Sequence, residues 1–196
     1  MNRREALQRV ALLLGGALST PVISAVLDHK HGPRAGVKSA SWTMKTLTSE
    51  QDQLVTAIAE MIIPETSTPG AKAVRVNEFI DLLLTEWYPA EDRDRFLSGL
   101  NDLEAKFQQS HGKRFLEGMP EQQTAMLTEM DQEAVAARRA GVKPLPFFAT
   151  MKELTLVGYY TSDVGMTEEL QFQPATDRYE GCIPLERVEG RAWAEL

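Results

Sequence analysis

The run from Val76 to Trp87 places the tightest limit on the fold. Val76, Phe79, Ile80, Leu83, Leu84 and Trp87 recur at steps of three and four residues, one continuous apolar stripe along a helix. Tyr88-Pro89 stops it, since proline disfavours the helical region for its predecessor. The same period returns in four other segments, and no convincing strand pair occurs. Thr48-Ser49-Glu50-Gln51 is a capping box, in which Thr48 accepts from the backbone three residues on and Gln51 reaches back. It opens a helix carrying Leu54, Val55, Ile58, Ala59, Met61 and Ile62, which Pro64 ends. A third helix runs from about Glu91 with Phe96, Leu100, Leu103 and Phe107 on one face, to Gly112. A fourth takes Pro120 as its first residue and turns Met126, Leu127, Met130 and Ala134 inward. After the stiff spacer Lys143-Pro144-Leu145-Pro146, a fifth holds Phe147, Phe148, Met151, Leu154, Leu156, Val157 and Tyr160. Its broad apolar character makes it the central helix. From Gly165 onward, Leu170, Phe172, Tyr179 and Ile183 are scattered in an irregular tail that needs a surface to lie on.

The expected fold is therefore all-α, a single small domain of about five helices with a long irregular C-terminal tail. A chain of 196 residues is long enough for one real core and too short for two catalytic domains. The division reads as 1–25, a signal segment and helix; 26–46, a polar linker or arm with Gly32-Pro33 and Gly36; and 47–196, the helical domain.

The N-terminus is read as an address. Arg3 and Arg4 precede a short apolar run, Val10 to Leu18, that contains Gly15 and Gly16. Nine to fifteen apolar residues fall short of the roughly 20 that a membrane-spanning helix needs. The adjacent arginines, with Leu7 three positions on, resemble a twin-arginine export signal, although Ala6 stands where that motif usually has a bulkier residue. Such signals export folded cargo, which makes the twin-arginine translocase a partner and the periplasm the expected location. An uncleaved signal would leave a membrane tether.

Chemistry is scarce elsewhere. With 21 Lys and Arg against 28 Asp and Glu, the formal charge is −7, which disfavours nucleic acid as a partner. The sequence has no glycine-rich phosphate loop, HExxH, GxSxG or CxxC. One cysteine, Cys182, excludes an internal disulfide and a CxxCH haem attachment. It reads as inert or buried, or as a bridge to a partner subunit. His29 and His31 lack companion ligands, and His111 suits a helix C-terminus, so no metal site is expected. The acidic pairs Glu91/Asp92 and Glu168/Glu169 read as solvated faces rather than acid and base. Trp87, Tyr88, Tyr159 and Tyr160 suit a core stripe, a helix end or an interface.

Several segments together resemble subunit 3, the small or gamma subunit, of the gluconate 2-dehydrogenase family. They are the twin-arginine start, Ile58-Ala59-Glu60-Met61-Ile62-Ile63-Pro64-Glu65-Thr66 with Thr68-Pro69-Gly70-Ala71, and Val76-Asn77-Glu78-Phe79-Ile80-Asp81. Toward the other end, Phe148 to Gly158, Tyr159-Tyr160-Thr161-Ser162, Gly165 and Tyr179-Glu180-Gly181-Cys182 also match. The resemblance covers roughly residues 47 to 184. It implies a non-catalytic chain that accompanies a large FAD-bearing dehydrogenase subunit of the glucose-methanol-choline type. The resemblance places no cofactor and no catalytic residue on this chain. A membrane-bound cytochrome c subunit with haem c can complete such complexes. The small subunit supplies the export signal and supports folding of its partner. Pro64, Thr66, Pro69, Gly70, Ala71, Tyr159, Tyr160, Tyr179 and Cys182 are candidates for partner contacts or for a structural turn. The rival readings are a stand-alone periplasmic binding or structural protein tethered by its N-terminus, and a small enzyme of unknown type.

Overall fold

Helix α1 (Ser49–Ile62) begins where the capping box places it: the Gln51 amide donates to Thr48 Oγ1 at 3.2 Å and the Thr48 amide to Gln51 Oε1 at 3.1 Å. This computed structural model describes residues 42–172, together with 182, 184–188, 190 and 193–194. Chain contacts separate residues 1–41 from a unit of residues 42–196, and only the second unit contains described residues. The expected signal segment, Arg3, Arg4, His29, His31 and Tyr179 lie outside them.

Four more α-helices follow: α2 (Val76–Glu86), α3 (Ala90–His111), α4 (Pro120–Arg139) and α5 (Phe147–Tyr160). Their ends obey local chemistry. Pro120 sits in the first turn of α4, where its missing N–H costs nothing. Gly112 closes α3 at φ 69°, a left-handed cap that glycine adopts without Cβ strain. His111, just before it, packs its ring against Phe107 at 4.6 Å between centroids.

The core is continuous from Leu47 to Tyr159. Val55, Ile58, Ile80, Leu84, Leu100, Leu103, Phe107 and Met151 are fully enclosed, and each lies on a stripe read from the sequence. Helix α5 packs against α1, α2, α3 and α4, the central place expected for it. Gly158 makes its approach to α2 feasible, because a Cβ there would stand 2.7 Å from the Phe79 ring.

The structure departs from the sequence reading in four places. Trp87 ends the α2 stripe yet is 78% exposed, at the C-cap where the helix stops. Leu156, Val157 and Tyr160 of α5 are also exposed, lying on the one strip of the helix that no other helix covers. The tail forms a wide five-residue turn, Gly165–Glu169, and a two-residue parallel pairing, Gln171–Phe172 with Trp193–Ala194, where no strand was expected. Residues 42–46, assigned to the arm, are fastened to the helical domain.

Candidate functional site

The loop joining α1 to α2 is built around one carboxylate. Glu60, in the last turns of α1, accepts from the amide of Glu65 at 3.1 Å and from that of Lys72 at 2.8 Å. The Ala71 amide donates to the Ile63 carbonyl at 2.9 Å, closing the loop at its base. Gly70 lies inside this ring, where a Cβ would stand 2.4 Å from Glu60 Oε1 and 2.6 Å from the Glu65 nitrogen. Glycine is the residue that leaves room. Arg75 leads into α2 at φ 60°, a left-handed conformation, and its guanidinium pairs with Glu78.

Far along the sequence, Tyr159 and Gly165 complete the assembly. The buried Tyr159 ring directs its hydroxyl to the Pro69 carbonyl at 2.8 Å, and Thr68 Oγ1 donates to Glu169 at 2.8 Å. Gly165 packs so tightly over the end of α5 that a Cβ would lie 2.0 Å from the Tyr159 carbonyl oxygen. The two most distinctive sequence segments, some 90 residues apart, are therefore one interlocked structure. Gly70, Ala71 and Tyr159 are buried within it. Pro64 and Thr66 form its exposed tip, while Tyr160 faces solvent with its ring edge-on to Tyr159 at 5.3 Å. Cys182 is exposed.

Sequence reasoning assigned Asp81 no role, yet it is a fully buried carboxylate. Its Oδ1 accepts from the Thr46 and Leu47 amides at 2.9 and 2.8 Å. Its Oδ2 accepts from the Lys45 amide at 2.9 Å and the Trp42 indole at 3.1 Å. Burial alone would raise the pKa of this acid, but the donors of Leu47, Lys45, Thr46 and Trp42 together hold it below the ordinary carboxylate value. Lys45 adds an ion pair to Glu86, and Thr46 Oγ1 meets Thr85 Oγ1 at 2.7 Å. One signal was legible: an acid one step beyond Ile80, on the flank of an apolar stripe.

Two of the clefts among the described residues involve candidate residues. Trp87, Tyr88, Phe96, Pro144, Leu145 and Phe147 line a cleft of about 430 Å³ between the α2–α3 turn and the proline spacer. Burial first, then the Glu153 and Asp92 carboxylates, raise the Tyr88 phenol above its ordinary value. The second surface is a groove of about 390 Å³ between α4 and α5. Of the acidic pairs, Glu91 and Asp92 bind Arg95 at 2.9 and 2.6 Å, and Glu169 accepts from Thr68 Oγ1. Among the described residues, no three His, Cys, Asp or Glu side chains are grouped to hold a metal, and no helix is long and apolar enough to cross a membrane.

The sequence matches the family described as gluconate 2-dehydrogenase subunit 3 over residues 49–176, about two thirds of the chain. The chain belongs to that family. The matched region runs from α1 past the wide turn after α5, so it contains both halves of the interlocked loop. No curated protein and no solved structure gives a significant match. Membership of the subunit 3 family implies an accessory chain that associates with other subunits of a gluconate dehydrogenase complex.

Proposed function

We propose that this chain is the non-catalytic small subunit of a periplasmic, FAD-dependent sugar or alcohol dehydrogenase of the gluconate 2-dehydrogenase type. It supplies a twin-arginine signal at Arg3-Arg4 and supports folding of the large flavin subunit. FAD sits in that partner, and a membrane-bound cytochrome c subunit with haem c is a further expected partner. The observation that carries this reading is the family match over residues 49–176. The adjacent arginines ahead of a short apolar run support the export part of it. Val135, Leu156 and Val157 are exposed apolar residues that line one groove, which is in keeping with a chain that meets a partner.

The test is affinity purification of the tagged full chain from its native periplasm, followed by an absorbance spectrum and mass spectrometry. A flavin spectrum with one large co-purifying dehydrogenase chain is expected. A lone, colourless chain overturns the reading.

A further inference from the structure

We propose that residues 42–47 form a strap that opens and closes on α2 as one unit, with Asp81 as its latch and Thr48 as its hinge. The ties of this segment converge on a single side chain. The Trp42 indole and the Lys45, Thr46 and Leu47 amides all donate to the Asp81 carboxylate, at 2.8 to 3.1 Å. The segment makes no backbone-to-backbone hydrogen bond with the described residues. Of its six residues only Leu47 is buried. Its other polar ties to α2 are slight: the ion pair of Lys45 with Glu86, half-exposed on both sides, and the contact between the Thr46 and Thr85 hydroxyls.

Opening the strap leaves the helices their own supports. The first turn of α1 is closed by the reciprocal Thr48 and Gln51 bonds, which lie beyond the strap and do not involve Asp81. Helix α2 retains α1 and α5 as neighbours, and Thr85 Oγ1 retains its bond to the Asp81 carbonyl at 2.7 Å. Water can take over the bonds of a freed carboxylate, and one buried apolar side chain, Leu47, is uncovered, so opening costs a fraction of global unfolding. The latch also requires a formed α2, because the helix turn sets Asp81 and Thr85 on one face. Such a strap controls how much chain leads into the domain. Closed, the domain holds the chain from Trp42 onward; open, from Thr48 onward, a gain of six residues or about 20 Å when extended.

The test is residue-resolved hydrogen exchange of the full-length protein, with limited trypsin digestion of wild type and Asp81→Asn. Asparagine keeps the size of the side chain and replaces one acceptor oxygen by a donor. In wild type, the Lys45, Thr46 and Leu47 amides are expected to show one common opening and to exchange at least tenfold faster than the Ile80 and Leu84 amides of α2, after correction for intrinsic rates. Cleavage after Lys45 follows the population of the open strap, so Asp81→Asn should raise it at least tenfold, with the helical circular dichroism signal intact and cleavage after Lys113 unchanged. Strap amides that exchange only as fast as Ile80 and Leu84, or that open independently of one another, overturn the proposal. So does cleavage after Lys45 within twofold of wild type. A loss of helical signal in Asp81→Asn, or an equal rise in cleavage after Lys113, also overturns it, because Asp81 would then hold the whole domain rather than a strap.

Discussion

Replacing Asp81 by alanine is expected to destabilise the domain by about 2.5–6 kcal/mol at pH 7 while leaving α1 and α2 helical. The magnitude follows from the four donors on the carboxylate. The Leu47 amide is buried and loses its acceptor where water does not readily replace it, a cost of about 1–3 kcal/mol. The Lys45 and Thr46 amides and the Trp42 indole are only part-buried, so water recovers some of each bond and each loss is about 0.5–1 kcal/mol. Against the roughly 5–15 kcal/mol that holds a typical domain together, this is a large fraction. Guanidinium unfolding of the full-length protein measures it as a lower midpoint at unchanged slope. The effect has a defined pH window. Because the folded state holds this acid below its ordinary value of 3.8, its contribution is fully present above that value and is lost as pH falls through the lower, folded one. The difference between wild type and Asp81→Ala should therefore be flat from about pH 5 to 8 and narrow only at more acidic pH. A difference below about 1 kcal/mol at pH 7, or one that shrinks already at pH 6, would refute the reasoning.

Three further outcomes are expected. Gly70→Ala forces a methyl against Glu60 and the Glu65 backbone, so thermal unfolding should report a loss of about 1–3 kcal/mol, and an unchanged midpoint would contradict the tight ring described above. Tyr159→Phe keeps the buried ring but removes the bond to the Pro69 carbonyl, a loss of about 1 kcal/mol by chemical denaturation. On the export reading, replacing Arg3 and Arg4 together by lysine should keep the chain in the cytoplasm, as cell fractionation would record; undiminished periplasmic yield argues against a twin-arginine address.

How much of this was legible beforehand depended on the range of the interactions involved. The capping box at Thr48, the proline stops at Pro64 and Pro89, the start at Pro120 and the left-handed end at Gly112 are all encoded within a few residues, and each appears where the sequence placed it. The core stripes were equally legible, because a period near 3.6 fixes which side chains share a face. The interlocked loop was visible only as two distinctive strings, Pro64 to Ala71 and Gly158 to Ser162. Nothing local says that Tyr159 reaches Pro69 across 90 positions. The role of Asp81 and the exposure of Trp87 escaped the sequence for the same reason. An acid beside an apolar stripe, or a tryptophan at its end, reads one way as a helix surface and another once the neighbouring segment is known.

The sequence by itself determined the all-α class, the five helices, their order and most of the residues that they bury, because helix period, caps and prolines act over one or two turns. Only the tertiary structure decided which helix faces stayed open, how residues 42–47 were tied to Asp81, and that Gly70 and Tyr159 belong to one lock. Those outcomes depend on the order in which α5 meets its four neighbours, and packing between segments far apart in the chain leaves no period for the sequence to display.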